Sequence, residues 1–247
     1  MSFRVSLNLT SKPASELDSA LLPEGVTAAT SVPVDAGTLE ALRNIITQFN
    51  AEGDALLTEI FSAVHASKAF EFEVVATSGV PAPYDAWTAI LGEKPVMLFN
   101  LSEWSKEEIS RYGLPILLHE VSHGLLAAPL KTHEELESYP EALEKIVIDE
   151  GIAHFIGFPG VRADLLEKHL DKWAASEALL KKAEQKLAAS YVDEDEKEEL
   201  LFKANTGVYW EKFGAISGMF RVAKIYQSQG PAGVVEAIKN LNLPRST

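Results

Sequence analysis

Residues 116–124 read Ile-Leu-Leu-His-Glu-Val-Ser-His-Gly, with two histidines four apart and an acid directly after the first. On an α-helix four residues advance about 400°, which sets the His119 and His123 rings one turn apart and about 40° around the axis. Imidazoles so placed can share one Zn²⁺ at about 2.0–2.1 Å. Glu120 leaves the helix on the neighbouring flank, where a carboxylate can take a proton from a metal-bound water. Ile116, Leu117, Leu118 and Val121 give the same helix an apolar side for burial. An amphipathic helix that merely carries two histidines would show the same letters. With six His in 247 residues, H-E-x-x-H arises by chance in about 1–2 % of such chains, so the motif needs a third ligand beside it.

A catalytic zinc ion usually takes three protein ligands and keeps one position open for water. The pattern H-E-x-x-H-x-x-G-x-x-H, with a third histidine, is excluded because Leu126 and Pro129 occupy its later positions. Glu150, in Asp-Glu-Gly-Ile-Ala-His-Phe-Ile (149–156), is the candidate instead. Leu143, Ile146, Val147, Glu150 and His154 share one face of a helix expected over 138–157, which places Glu150 among apolar neighbours. A carboxylate there is costly unless it is paired or bound to a cation. Gly151 permits close approach of another backbone, for packing or for a site.

His119-Glu120-Val121-Ser122-His123 followed by Glu150-Gly151-Ile152-Ala153 resembles the gluzincin metallopeptidases, whose third ligand opens an E-G-x-A-like helical segment. The resemblance is dense over about 40 residues and loose elsewhere. It implies an α+β, zincin-like fold, zinc ligands at His119, His123 and Glu150, and a general base at Glu120. Some members of that family carry, four residues after the ligand Glu, an Asp that orients a zinc histidine; here that position is His154. A neutral imidazole either takes over that role or packs.

Composition narrows the function classes. A chain of this length can bury a substantial core and fits a single catalytic domain, with expected lobes 1–130 (sheet and H-E-x-x-H helix) and 131–247 (helical, third ligand). With 47 % hydrophobic and 23 % charged residues, it reads as globular. The net charge of −14 argues against nucleic acid and anionic membrane surfaces as partners, since both require clustered Lys and Arg. The chain has no cysteine, which rules out disulfides and thiolate zinc sites. The start, Met-Ser-Phe-Arg-Val-Ser-Leu-Asn-Leu-Thr, lacks the apolar core of a signal peptide, so the expected location is cytoplasmic. A secreted chain trimmed of its signal would read the same.

The remaining stretches set the frame. Phe3, Val5, Leu7 and Leu9 alternate as in a half-buried strand, and 35–66 has helical periodicity with a break at 50–54. His65 reads as a surface or capping residue. Residues 69–76 and 94–101 read as strands, and 78–84, with Gly79, Pro81 and Pro83, as a loop. Residues 95–101 either offer a sheet edge to an extended substrate or form a plain core strand. Helix is expected over 102–130 in two parts, broken at Tyr112-Gly113-Leu114-Pro115, with Ser105 and Glu108 as a capping box. His133 falls in a polar loop. Residues 161–190 read as one long helix or a hairpin with His169 on its surface, and the acidic run 193–199 as a solvated helix start or loop. Residues 205–227 read as a helix in which Gly214 and Gly218 allow close packing, and Gly230-Pro231 ends it before a last helix.

Amide hydrolysis develops negative charge on the carbonyl oxygen, and a Tyr or His donor beside the metal stabilises it. Tyr209, at an expected helix start, is the first candidate for that donor, with Tyr226 and His154 behind it; a buried structural tyrosine is the alternative for each. The expected activity is hydrolysis of a peptide or protein substrate by a zinc-activated water with Glu120 as base. A zinc hydrolase of non-peptide amides or esters, a metal-stabilised binding or scaffold protein, and a helical interaction module are the other classes compatible with these residues.

Overall fold

Thr88, Met97 and Phe72 lie on one face of a small sheet, and the H-E-x-x-H helix packs on that face. The computed structural model describes residues 3–28, 33–66, 68–92, 94–130 and 138–244; His133 lies outside them. The described residues are mostly helical with one four-stranded mixed sheet, an α+β composition. It divides into two compact units, Met1–Leu125 and Leu126–Thr247. Among the described residues no helix is long and apolar enough to cross a membrane.

The first unit runs β1 (Arg4–Ser11), α1 (Ala36–Glu52), α2 (Ala55–His65), β2 (Ala69–Thr77), β3 (Ala86–Leu91), β4 (Lys94–Asn100) and α3 (Lys106–Leu126), which ends at the unit boundary. Asp35 and Asp54 cap α1 and α2 by accepting the N–H groups of Thr38 and Leu57, both at 2.8 Å. Between them Gly53 turns at φ +68°, the expected break. The strand order is β1-β2-β4-β3, with β1, β2 and β4 parallel and β3 antiparallel to β4. The outer edge of β1 is closed by Asn50 of α1, whose amide exchanges two 2.8 Å hydrogen bonds with the Leu7 backbone.

Strand pairing settles which residues share a face. Thr88 stands opposite Met97, and Met97 opposite Val74, so these three and Phe72 point to one side. A Cβ added at Gly124 would lie 3.1 Å from Met97 and 3.2 Å from Phe72, which puts α3 against that side. On the other side Val75, Val96 and Leu98 join Leu21, with Leu17, Trp87 and Ala89 packed around them. The Trp87 indole donates to the Leu21 carbonyl at 2.9 Å.

Three sequence expectations are corrected in this unit. Residues 95–101 are not a sheet edge: β4 is hydrogen-bonded on both sides, and the edge is β3, a strand the Pro- and Gly-rich approach to it concealed. The H-E-x-x-H helix is not interrupted at 112–115, because α3 runs through Pro115. An internal proline costs about 3 kcal/mol, and burial on both sides of it, at Ile109, Gly113, Leu117 and Leu118, offsets that cost. Of the two readings of His65, surface or capping, the surface one is corrected: the residue is buried, its Nε2–H donates to the Leu125 carbonyl at 2.8 Å, and its ring packs edge-on to Phe70. That bond satisfies one of the last carbonyls of α3.

The second unit contains α4 (Tyr139–Ile156), α5 (Leu165–Lys168), α6 (Leu170–Leu187), α7 (Glu194–Asn205) and α8 (Phe213–Asn240). Ser138 caps α4, accepting from the Glu141 N–H, as the Ser-Tyr-Pro-Glu pattern implies. At the other end Arg162 donates to the Phe155 and Ile156 carbonyls. Residues 161–190 form neither one helix nor a simple hairpin, since His169 separates α5 from α6 and its half-buried ring meets Trp210 and Phe158. The acidic run begins α7 behind the Asp193 cap, and Gly230, at φ +66°, kinks α8 just before Pro231. Arg221 of α8, 7 % exposed, makes a two-point pair with Glu177 of α6 at 2.8 and 3.0 Å.

His65 makes the stability of the first unit depend on pH. Burial holds its imidazole below the ordinary value of 6.5, and nearby Lys68 pushes the same way, against the Leu125 bond. The unfolded chain therefore takes up a proton that the folded one refuses. This contribution to stability is intact above about pH 6.5 and is lost as the pH falls below it. We expect the melting temperature of the wild type to fall more steeply than that of His65→Gln between about pH 7.5 and 5.5; parallel slopes would show that His65 is not the titrating group.

Candidate metal centre

His119, Glu120 and His123 sit in the second half of α3, and the helix directs them differently. Glu120 turns toward the sheet and is 4 % exposed, whereas the two histidines are half-buried. The imidazole Nε2 atoms of His119 and His123 stand 3.0 Å apart, with ring planes at 84°. Two nitrogen ligands on a tetrahedral metal at about 2.0–2.1 Å would be separated by about 3.3 Å. The observed pair, which forms an N–H···N hydrogen bond, is within a few tenths of an ångström of that bite, so small ring movements would let the two nitrogens share a metal ion.

Glu120 lies under β3. The Thr88 hydroxyl donates to its carboxylate Oε2 at 2.8 Å and lies 3.2 Å from its main-chain carbonyl. Thr88 was not visible as a site residue in the sequence. The signal that could have found it is the hairpin: Ala86-Trp-Thr-Ala-Ile-Leu is rich in β-formers and ends at Gly92, which turns at φ +64° before β4.

In the second unit, α4 carries Glu150 and His154 on one face, one turn apart. The Glu150 side chain is 13 % exposed and that of His154 3 %. The His154 Nδ1 lies 2.9 Å from the Glu150 carbonyl oxygen and 3.3 Å from its carboxylate Oε2. A carbonyl only accepts, so Nδ1 carries the proton, and the same N–H faces the carboxylate. His154 thus steers the Glu150 side chain in the unit that holds both.

The depth of α4 is set by glycines. A Cβ at Gly151 would come within 2.5 Å of the Gly218 backbone, and one at Gly218 within 2.0 Å of the Val147 carbonyl oxygen. Only a pair without side chains lets α4 and α8 meet this closely. Gly214, expected to act in the same way, meets Ala204 and Ile146 at 3.0 and 3.2 Å.

Tyr209 lies on a single 3-10 turn, Tyr209–Glu211, ahead of α8, and not in a helix proper. Its hydroxyl donates to the Met219 thioether at 3.5 Å, and its ring lies 5.5 Å from that of His154. Burial pushes the phenol up from its ordinary value of 10.0, so it is a neutral proton donor at working pH. Tyr226 packs against Phe155.

The chain was compared with protein-family models, curated proteins and solved structures, and none of the three comparisons returned a match.

The glycine contact gives a direct test of what positions Glu150 and His154. Gly218→Ala forces the α4–α8 contact open and is expected to destabilise the protein by about 1–3 kcal/mol, the usual range for overpacking. Gly113→Ala, whose Cβ would meet mainly the mobile Cδ1 of Ile45 at 2.6 Å, should cost less. Equal losses in thermal denaturation would remove the special role of the Gly151–Gly218 contact.

Proposed function

We propose that the chain is a zinc-dependent hydrolase acting on peptide bonds, with His119, His123 and Glu150 as metal ligands and Glu120 as general base. The observation that carries the reading is the 3.0 Å approach of the His119 and His123 Nε2 atoms on a helix that holds the buried carboxylate of Glu120 between them in sequence. It is supported, within the second unit, by the Glu150 carboxylate and the His154 imidazole standing side by side on α4.

A bound zinc ion would polarise the scissile carbonyl and acidify a water molecule. The other steps belong to this chain's side chains. Glu120 accepts the proton of the attacking water and returns it to the leaving amine. His154 orients the Glu150 carboxylate through its Nδ1–H. Tyr209 is the candidate donor to the carbonyl oxygen as negative charge develops there. Its present acceptor, a thioether, is weak, so little is lost when the hydroxyl turns to a better one. The carboxylate and imidazole donor set suits zinc; thiolate is excluded by the sequence.

Metal analysis on protein purified without chelators, together with cleavage of a mixed peptide library, tests the reading. About one zinc per chain is expected, falling in His119→Ala, His123→Ala and Glu150→Ala, with a lower melting temperature in each. Full occupancy in Glu150→Ala alongside loss in His154→Ala would transfer the third ligand to His154. Glu120→Gln should keep the metal and lose about 10²–10⁴ in rate, the usual weight of a general base. Unchanged turnover in that variant would sink the mechanism. Tyr209→Phe should lower kcat by about 10²–10³ with KM nearly constant; a lower melting temperature with normal kcat would mark Tyr209 as a packing residue.

A further inference from the structure

We propose that Thr88, on the edge strand β3, is the positioning residue for Glu120, holding its carboxylate in the orientation needed to accept a proton. The inference rests on the reading of Glu120 as general base, and its geometry lies wholly within the first unit.

A glutamate has three side-chain torsions, and an unanchored carboxylate on a helix samples several rotamers. Here one hydroxyl reaches two atoms of the same residue, carboxylate Oε2 at 2.8 Å and main-chain oxygen at 3.2 Å. Anchoring the far end of the side chain to its own backbone through a fixed third point removes rotation about the outer torsions. The fixed point is rigid for a reason visible in the sheet. Thr88 pairs with Met97 in β4, and the residues on either side of it, Trp87 and Ala89, face the opposite core around Leu21. Threonine is β-branched, so its hydroxyl has few orientations in a strand.

A hydroxyl has one proton to give, and the shorter contact directs it to Oε2. A hydroxyl also accepts, so the contact survives when the carboxyl group takes up its proton: the acid can then donate to Oγ1 while the threonine proton turns to the carbonyl at 3.2 Å. Valine has the shape of threonine and can do none of this. Serine keeps the hydroxyl and loses only the methyl group.

The experiment compares Thr88→Val and Thr88→Ser with the wild type, using full-length, zinc-loaded protein and a cleaved member of the peptide library. Thr88→Val is expected to lower kcat by about 10–100-fold, the range for removing a partner that orients an active-site group, with KM and zinc content nearly unchanged. Thr88→Ser should recover most of the rate. In a Glu120→Gln background the valine substitution should cause little further loss. A readout independent of turnover accompanies these. The carboxylate stretch of Glu120, isolated as the infrared difference between each protein and its Glu120→Gln counterpart, should shift in Thr88→Val and return in Thr88→Ser. A wild-type rate and an unshifted band in Thr88→Val would overturn the proposal while leaving the hydrolase reading intact. If the wild type cleaves nothing, the base and the positioning role fall together. A rate loss in Thr88→Val that serine does not restore would assign Thr88 a packing role and overturn the proposal as well.

Discussion

Burial of a carboxylate on the sheet side of α3 is the constraint around which the first unit is arranged. Glu120 is 4 % exposed, and a carboxylate removed from water is tolerated only where strong hydrogen-bond donors or a cation meet it. The sheet provides a donor at Thr88, and it can do so only because β3 is antiparallel to β4, in a register that turns Thr88 and Met97 to the same side. Gly124, one turn after Glu120, has no side chain to hold the helix away from Phe72 and Met97. The His65 bond to the Leu125 carbonyl secures the end of the same helix. Sheet register, a glycine and a buried imidazole thus all bear on one helical turn.

The second unit meets a similar demand by different means. Glu150 also leaves a helix that is buried along much of its length, and its neighbour one turn on is an imidazole whose Nδ1–H lies near both its carbonyl and its carboxylate. The position of α4 depends on Gly151 and Gly218, where a methyl group on either would collide with backbone. Backbone cannot swing aside as a side chain can, so this contact has little tolerance. The residue that follows Glu150 in sequence therefore has a packing reason to be glycine, independent of any chemistry at the carboxylate.

The residues that could be read in advance were those whose role is local. The Ser105 and Ser138 caps, the Gly53 break, the Gly230-Pro231 kink and strands β1, β2 and β4 all follow from side chains acting within a few positions of themselves. The pairing of His119 with His123 is local for the same reason, being one helical turn. What escaped the sequence is what depends on distant partners. Pro115 looked like a helix break because propensity is local, whereas the burial that overrides it comes from elsewhere in the unit. His65 read as a surface or capping residue, and nothing near it in sequence announces that the carbonyl it meets is that of Leu125, sixty positions on. Thr88 was hidden for both reasons: its strand follows a Pro- and Gly-rich stretch, and its partner lies on another element.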